Sequence, residues 1–265
     1  MRILVFDTET TGVIPRGIKN VTMTNLDSLP HIVQISYVIC DSDYSGKIVK
    51  IANHIIRIPK NIIMDDKNIS IHRITNEMSQ KNGEELGQIL IQFANDLNGI
   101  NQIVAHNIEF DLNIIKAEYY RLSQQSANTE KHLLYLNCYE KLNSMNKKMY
   151  CTMKETTDIC NVTAVNIMDG KTFVKWPSLA ELHNYLFGII PIHLHNSLHD
   201  VFVCLRCFYK LKFQKDICEE NLEMELHLRD LLPKKMNNNK NNKNNNYNYN
   251  NYIDDDDDIF DVVTE

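Results

Sequence analysis

The first twelve residues, MRILVFDTETTG, constrain this chain more than any other stretch. Ile3 to Phe6 form a short apolar run, the pattern of a buried central strand. The run ends in Asp7 and Glu9, one residue apart. Side chains alternate along a strand, so both carboxylates leave on the same face. Two negative charges held there repel unless something positive lies between them. A divalent metal would serve, and oxygen ligands suit magnesium or manganese. An acidic turn after an ordinary strand is the simpler alternative, because Asp-x-Glu is a common triplet. The rest of the chain has to decide between them.

The elements that follow read as a mixed α/β domain. A polar loop, Val13 to Leu29, is long enough to be functional. His31 to Cys40 and Lys47 to Ile58 have strand character and flank the turn-like DSDYSG, completing an antiparallel meander with the first strand. Ser70 to Thr75 reads as a helical turn capped by Ser70, and Glu84 to Leu97 as an amphipathic helix. Gln102 to Ala105 is a short buried strand, and Glu109 to Leu122 a second helix. Ser123 to Lys148 fits no clear element and is treated as an insertion. The segment CTMKETTDIC should be a strand end running into a helix, and Asn161 to Trp176 a loop or small hairpin. Pro177-Ser178 opens a helix that Gly188 ends, and Asn196 or Ser197 caps another to about Phe213. This divides the chain into a domain over 1–213, a helical extension over 214–236 and a tail over 237–265.

The tail carries most of the net charge of −6: two lysines stand against six aspartates and one glutamate, so the body is nearly neutral. Eleven of the sixteen residues from Asn237 to Tyr252 are asparagine, a composition that cannot bury a core and predicts disorder. Its acidic, partly apolar end, Ile253 to Glu265, is a docking peptide, an auto-inhibitory segment or an inert solubilising run. Seven cysteines without a regular framework predict a reducing, intracellular compartment. Cys204 and Cys207 fall on one face of an apolar helix and read as core, not as zinc ligands. The opening strand leaves no room for a signal peptide, and no apolar run is long enough to span a membrane, so no membrane partner is expected.

Two more acids turn the opening pair into a candidate site. Asp111 lies in AHNIEFDL, just after the QIVA strand, and Asp200 lies in LHNSLHDVF, one turn into a helix. His195 stands five positions before Asp200, placed to overhang the carboxylates. The set resembles the DEDDh 3′–5′ exonuclease superfamily, which includes the proofreading subunit of bacterial replicative polymerase and RNase T. Phe6 to Gly12 match its first motif, a strand followed by Asp-x-Glu-Thr-Thr-Gly. Asn107, Ile108, Glu109, Phe110 and Asp111 match the second, and His195 with Asp200 the third. A sister subgroup has tyrosine near the position of Asn196, so the histidine subgroup fits. SIHRITNE and PSLAELHNYLFGI are softer similarities, and the resemblance extends over about Met1 to Leu211.

That resemblance implies a ribonuclease H-like fold, a mixed five-stranded sheet flanked by helices. It implies two magnesium or manganese ions held by Asp7, Glu9, Asp111 and Asp200, with His195 as general base in a two-metal hydrolysis. Thr8, Thr10, His72, His106, Asn107 and Phe110 would contact the nucleic acid, Phe110 by stacking. Phe110 as core and His72 as a turn residue are the competing structural roles. The implied substrate is the single-stranded or frayed 3′ end of DNA, degraded to nucleoside 5′-monophosphates in proofreading or repair. RNA ends are the alternative, and an inactive exonuclease fold used for binding is a third reading. The chain carries no polymerase domain, so proofreading would call for a polymerase or replication partner in trans.

Overall fold

The computed structural model describes residues 1–145 and 148–233. The expectations for the tail, disorder and an acidic docking end, lie outside the described residues. The opening apolar run is β1 (Arg2–Thr10), the middle strand of a five-stranded sheet ordered β3-β2-β1-β4-β5. β2 (Ile32–Asp41) and β3 (Lys47–Ile55) continue from it antiparallel, the expected meander. β4 (Gln102–Ala105) and β5 (Met149–Cys151) lie on its other side, parallel to it. A mixed sheet of this kind brings the C-terminal ends of β1 and β4 together.

Alternation along β1 assigns its residues to two cores. Leu4 and Phe6 face one side, packing under α3 (Leu86–Asp96), α4 (Ile108–Gln125) and α5 (Thr129–Ser144). Ile3 and Val5 face the other, under α7 (Leu179–Phe187), α8 (Ser197–Phe213) and the short helices α9 (Ile217–Glu220) and α10 (Leu222–Leu228). Cys204 and Cys207 are buried in this second core with free thiols. Of the remaining helices, α1 (Asp66–His72) and α2 (Asn76–Asn82) follow β3, and α6 (Thr152–Cys160) follows β5. The small hairpin of β6 (Thr163–Val165) and β7 (Thr172–Val174) separates α6 from α7.

Local signals decide most helix ends. Ser178 and Glu181 form a reciprocal capping box at the start of α7, and Gly188 ends it at φ 67°, a conformation that suits a residue without Cβ. Asn196 caps α8. Two expectations are corrected. The helix containing Ser70 starts earlier, because Asp65 accepts the Asn68 N–H at 2.7 Å; Ser70 lies inside it and its hydroxyl donates to Lys67 O. The unassigned stretch after Ser123 contains α5, whose Cys138 and Leu142 are buried and whose Tyr139 packs its ring on Tyr120 of α4. Among the described residues, no helix is long and apolar enough to cross a membrane.

Candidate active site

The parity of β1 continues into its acidic end. Asp7 and Glu9 share the face of Ile3 and Val5 and so meet α8, which brings Asp200 in its first turn. One carboxylate oxygen from each of Asp7, Glu9 and Asp200 lies within 4.8 Å of the other two. Ser197, at the start of α8, is pinned to β2: its hydroxyl lies 2.6 Å from that of Ser36, and its N–H donates to Gln34 Oε1 at 3.2 Å. Ser36 is the register partner of Asp7. The helix that carries Asp200 is therefore fixed at the level of Asp7.

Asp111 arrives from the opposite face, on the first turn of α4. There it meets Thr8, whose N–H and hydroxyl both donate to Asp111 Oδ1, at 2.9 and 2.7 Å. Thr8, expected from the resemblance to touch nucleic acid, spends its hydroxyl holding this carboxylate. Asp111 is 2% exposed. Burial pushes its carboxyl up, the Thr8 bonds pull it back and the charge of Glu9 adds to the rise, leaving it at about 7. A cation beside Asp111 and Glu9 would favour the ionised carboxylate against this burial. The donors are hard oxygens throughout, so the residues fit magnesium or manganese.

His195 precedes α8 with φ 64°, and His193 has φ 60°, left-handed backbone that is uncommon outside glycine. The His195 N–H donates to Asp200 Oδ2 at 3.0 Å, tying the loop to the metal-ligand candidate. His199 Nδ1 donates to His193 O at 2.8 Å and so braces the same loop. His72 is 5% exposed and ends α1. Its Nδ1 accepts the Ile74 N–H, so Nε2 carries the ring proton; it lies beside the Thr10 main chain and makes no close hydrogen bond among the described residues. Burial, then the neighbouring His195, pushes His72 down to about 4. His72 is thus a neutral donor that adjoins both the first motif and His195.

The other expected nucleic-acid contacts divide. The Thr10 hydroxyl donates to Gly12 O at 2.5 Å and shapes the turn after β1. Asn107 takes φ 64° at the entry to α4, with its carbonyl accepting the Phe110 N–H. Phe110 is half-buried against the core cluster beneath α4. His106 has both ring nitrogens engaged inside the protein: Nε2 donates to Pro177 O at 3.0 Å and Nδ1 accepts from the Thr152 hydroxyl at 2.9 Å. Burial pushes it down to about 4.

A buried charged cluster escaped the sequence reading. Arg121 on α4 donates to the carbonyls of Leu26, Leu29 and Pro30 and to Glu118 Oε1. Glu118 in turn bonds His31 Nδ1 at 3.0 Å, and His31 exchanges main-chain and hydroxyl bonds with Thr11. The end of the 13–30 loop is thereby clamped to the helix that carries Asp111. The i, i+3 spacing of Glu118 and Arg121 was the available signal, but the same spacing is usual on solvated helix faces.

The exonuclease family model matches residues 4–208. The chain belongs to this exonuclease family. A comparison with curated proteins gave no significant match. Among solved structures, the exonuclease domain is similar to E. coli Exonuclease I bound to a dT13 oligonucleotide: 14% identity, 80% of this chain and 42% of that one, TM-score 0.55. It is likewise similar to E. coli Exonuclease I with a 5cy-dA13 oligonucleotide (13% identity, 82% and 42%, TM-score 0.52). The moderately thermophilic Exonuclease I of Methylocaldum szegediense gives 15% identity, 81% and 41%, and TM-score 0.52. At these identities the likeness is one of fold: the five-stranded mixed sheet with flanking helices. The chain spans less than half the length of these Exonuclease I chains.

Proposed function

We propose that this exonuclease domain hydrolyses DNA from the 3′ end and releases nucleoside 5′-monophosphates. The observation that carries the reading is the convergence of Asp7, Glu9 and Asp200 within 4.8 Å beside a buried Asp111. The His195 loop is tied to the same Asp200. DNA is favoured over RNA because deoxyoligonucleotides are bound by the Exonuclease I chains whose fold this domain shares.

Magnesium or manganese, as two ions when bound, would supply Lewis-acid stabilisation of the charge that develops on the phosphate. Asp7, Glu9 and Asp200 would hold it from one face of β1, and Asp111 from the other. Thr8 orients Asp111, and its two donated bonds offset part of the cost of ionising a buried acid. His195 takes the proton of the attacking water on its imidazole, a group whose ordinary pKa lies near working pH. His72, neutral and buried with its Nε2–H turned toward the Thr10 main chain, supports the end of β1 without adding charge.

The test is degradation of matched single-stranded DNA and RNA oligonucleotides, with magnesium and with a chelator. Expected are 5′-mononucleotides from DNA, no products without metal, and resistance of a 3′-phosphorylated strand. Cleavage of a closed circular strand, or equal rates with and without metal, would refute the proposal.

A further inference from the structure

His195 lies on a short loop that runs from Gly188, at the end of α7, to Asn196, at the start of α8. The backbone of this loop is not relaxed. His193 and His195 both take left-handed φ, at 60° and 64°. Such angles are unfavourable for residues with a Cβ and persist where the surroundings hold them. The loop therefore depends on its supports. His199 and Asp200 brace its α8 end. In its middle, the Ile192 N–H donates to Leu231 O at 2.8 Å, and Leu231 is buried in the second core. At its α7 end, the Ile189 carbonyl accepts from His183 Nδ1 at 2.7 Å.

His183 is fully buried on α7, and two further residues fix its ring. Donation from Nδ1 to a carbonyl leaves Nε2 as the acceptor, and Arg206 Nη1 donates to it at 3.0 Å. Arg206 lies on α8, the helix of Asp200, and forks onto both oxygens of Asp216 at 2.9 and 2.5 Å. Its guanidinium also covers the Phe187 ring, 3.9 Å from the centroid, and the His183 ring packs on the same Phe187. Burial, more than any other influence, holds His183 down at about 4, so the ring is a neutral donor. Desolvating a guanidinium and a carboxylate is expensive, and apolar side chains would fill the same space. Apolar side chains could not place a hydrogen bond on the Ile189 carbonyl. Asp216 and Leu231 both lie beyond α8, so the C-terminal extension supports the loop directly through Leu231 and indirectly through Asp216.

We infer that His183, oriented by Arg206 and Asp216, is a positioning residue for His195: it anchors the α7 end of the loop that carries the general base. The inference rests on the nuclease reading above. Asp200 has a separate support, because Ser197 ties α8 to Ser36 and Gln34 of β2. Losing the His183 anchor should therefore misplace the proton acceptor while the carboxylates still gather metal.

Three variants test this. His183→Leu removes the donor and keeps an apolar body, whereas His183→Asn retains a donor near the position of Nδ1. Arg206→Lys keeps a cation on Asp216 but loses the fork that also reaches His183. With magnesium and a single-stranded dT oligonucleotide, H183L and R206K should each lower kcat about tenfold, the scale of one lost hydrogen bond. KM and the magnesium midpoint should stay within about twofold, as expected of groups that touch neither substrate nor metal. H183N should return kcat to within about threefold of wild type. The deciding measurement repeats the set in an H195A background. With the general base gone, H183L and R206K should slow the residual rate no further, whereas a purely structural role would cost the same factor in both backgrounds. Circular dichroism at the assay temperature reports folding, and if H183L does not fold, R206K carries the same comparison. An unchanged kcat, equal losses with and without His195, or a loss confined to KM or magnesium affinity would overturn the inference. Wild-type protein that gives no magnesium-dependent products, or H195A as fast as wild type, would instead refute the nuclease reading itself.

Discussion

Replacing Asp111 by Asn should stabilise the metal-free protein, and by more as pH rises. Asp111 is 2% exposed and held at about 7, against 3.8 for an unfolded carboxyl. Between those values the folded state keeps a proton that the unfolded chain releases. Its contribution to stability therefore falls as pH rises through that window. At about 1.4 kcal/mol per pH unit, the cost above pH 7 has a ceiling of about 4 kcal/mol. Glu9 shares the interaction, so part of that cost belongs to the pair and the gain from one substitution is smaller. Asn keeps an oxygen acceptor for the N–H and hydroxyl of Thr8, so the tether survives while the charge is removed. In chelator, D111N should exceed wild type by about 2–4 kcal/mol at pH 8, by about 1–2 kcal/mol at pH 5, and match it only below about pH 4, read by guanidinium denaturation. Millimolar magnesium should raise the wild-type stability and close the gap, because metal binding stabilises only the form that retains its ligands. An equal difference at both pH values, or a D111N less stable than wild type at pH 8, would refute this account of Asp111.

Three further outcomes follow from the site. Asp7→Ala and Asp200→Ala should abolish turnover and the magnesium-induced rise in melting temperature while leaving circular dichroism unchanged; near-normal cleavage in either would remove them from the metal site. His195→Ala should lower kcat by about 10²–10⁴ and flatten the acidic limb of the pH–rate profile. His199→Ala should cost less, since its ring only braces the His193 carbonyl, and equal losses would point to the wrong histidine. Arg121→Met should destabilise the fold by about 3–5 kcal/mol by removing the guanidinium beside buried Glu118, which keeps its bond to His31, and by leaving the Leu26, Leu29 and Pro30 carbonyls without that donor. Adding Glu118→Gln should recover part of that loss in thermal unfolding, and strict additivity would show that the pair is not coupled.

The contrast between Asp200 and Asp111 shows where sequence reasoning stops. Both were legible as motif acids at element starts, and both do approach β1. Their different relations to Asp7 and Glu9 were not legible, because spacing along a helix does not say which side of a sheet that helix covers. The same limit applies to Thr8. Its parity, opposite to Asp7 and Glu9, was available, but the identity of the group waiting on that side was not. His106 was expected from the resemblance to contact nucleic acid, yet its bonds to Thr152 and Pro177 depend on residues 46 and 71 positions away. The start of α1 was misread for a local reason: Asp65 and Ser70 are both good caps, and only the hydrogen bond to Asn68 distinguishes them.

By itself, then, the chain's order of residues determined the period-two run of β1, the shared face of Asp7 and Glu9, the order of the strands and of most helices, and the capping of α7. These depend on backbone geometry over a few residues, which repeats wherever the pattern occurs. Tertiary structure alone decided that α8 packs on the Ile3 and Val5 face and α4 on the other, so that three carboxylates converge and the fourth is held through Thr8. It also decided that Arg121 is buried as the clamp of the 13–30 loop, and that Ile167 and Met168 are left in water. Those outcomes depend on which apolar surfaces cover one another across long stretches of chain, and burial of that kind is a property of the packed whole, not of any local spacing.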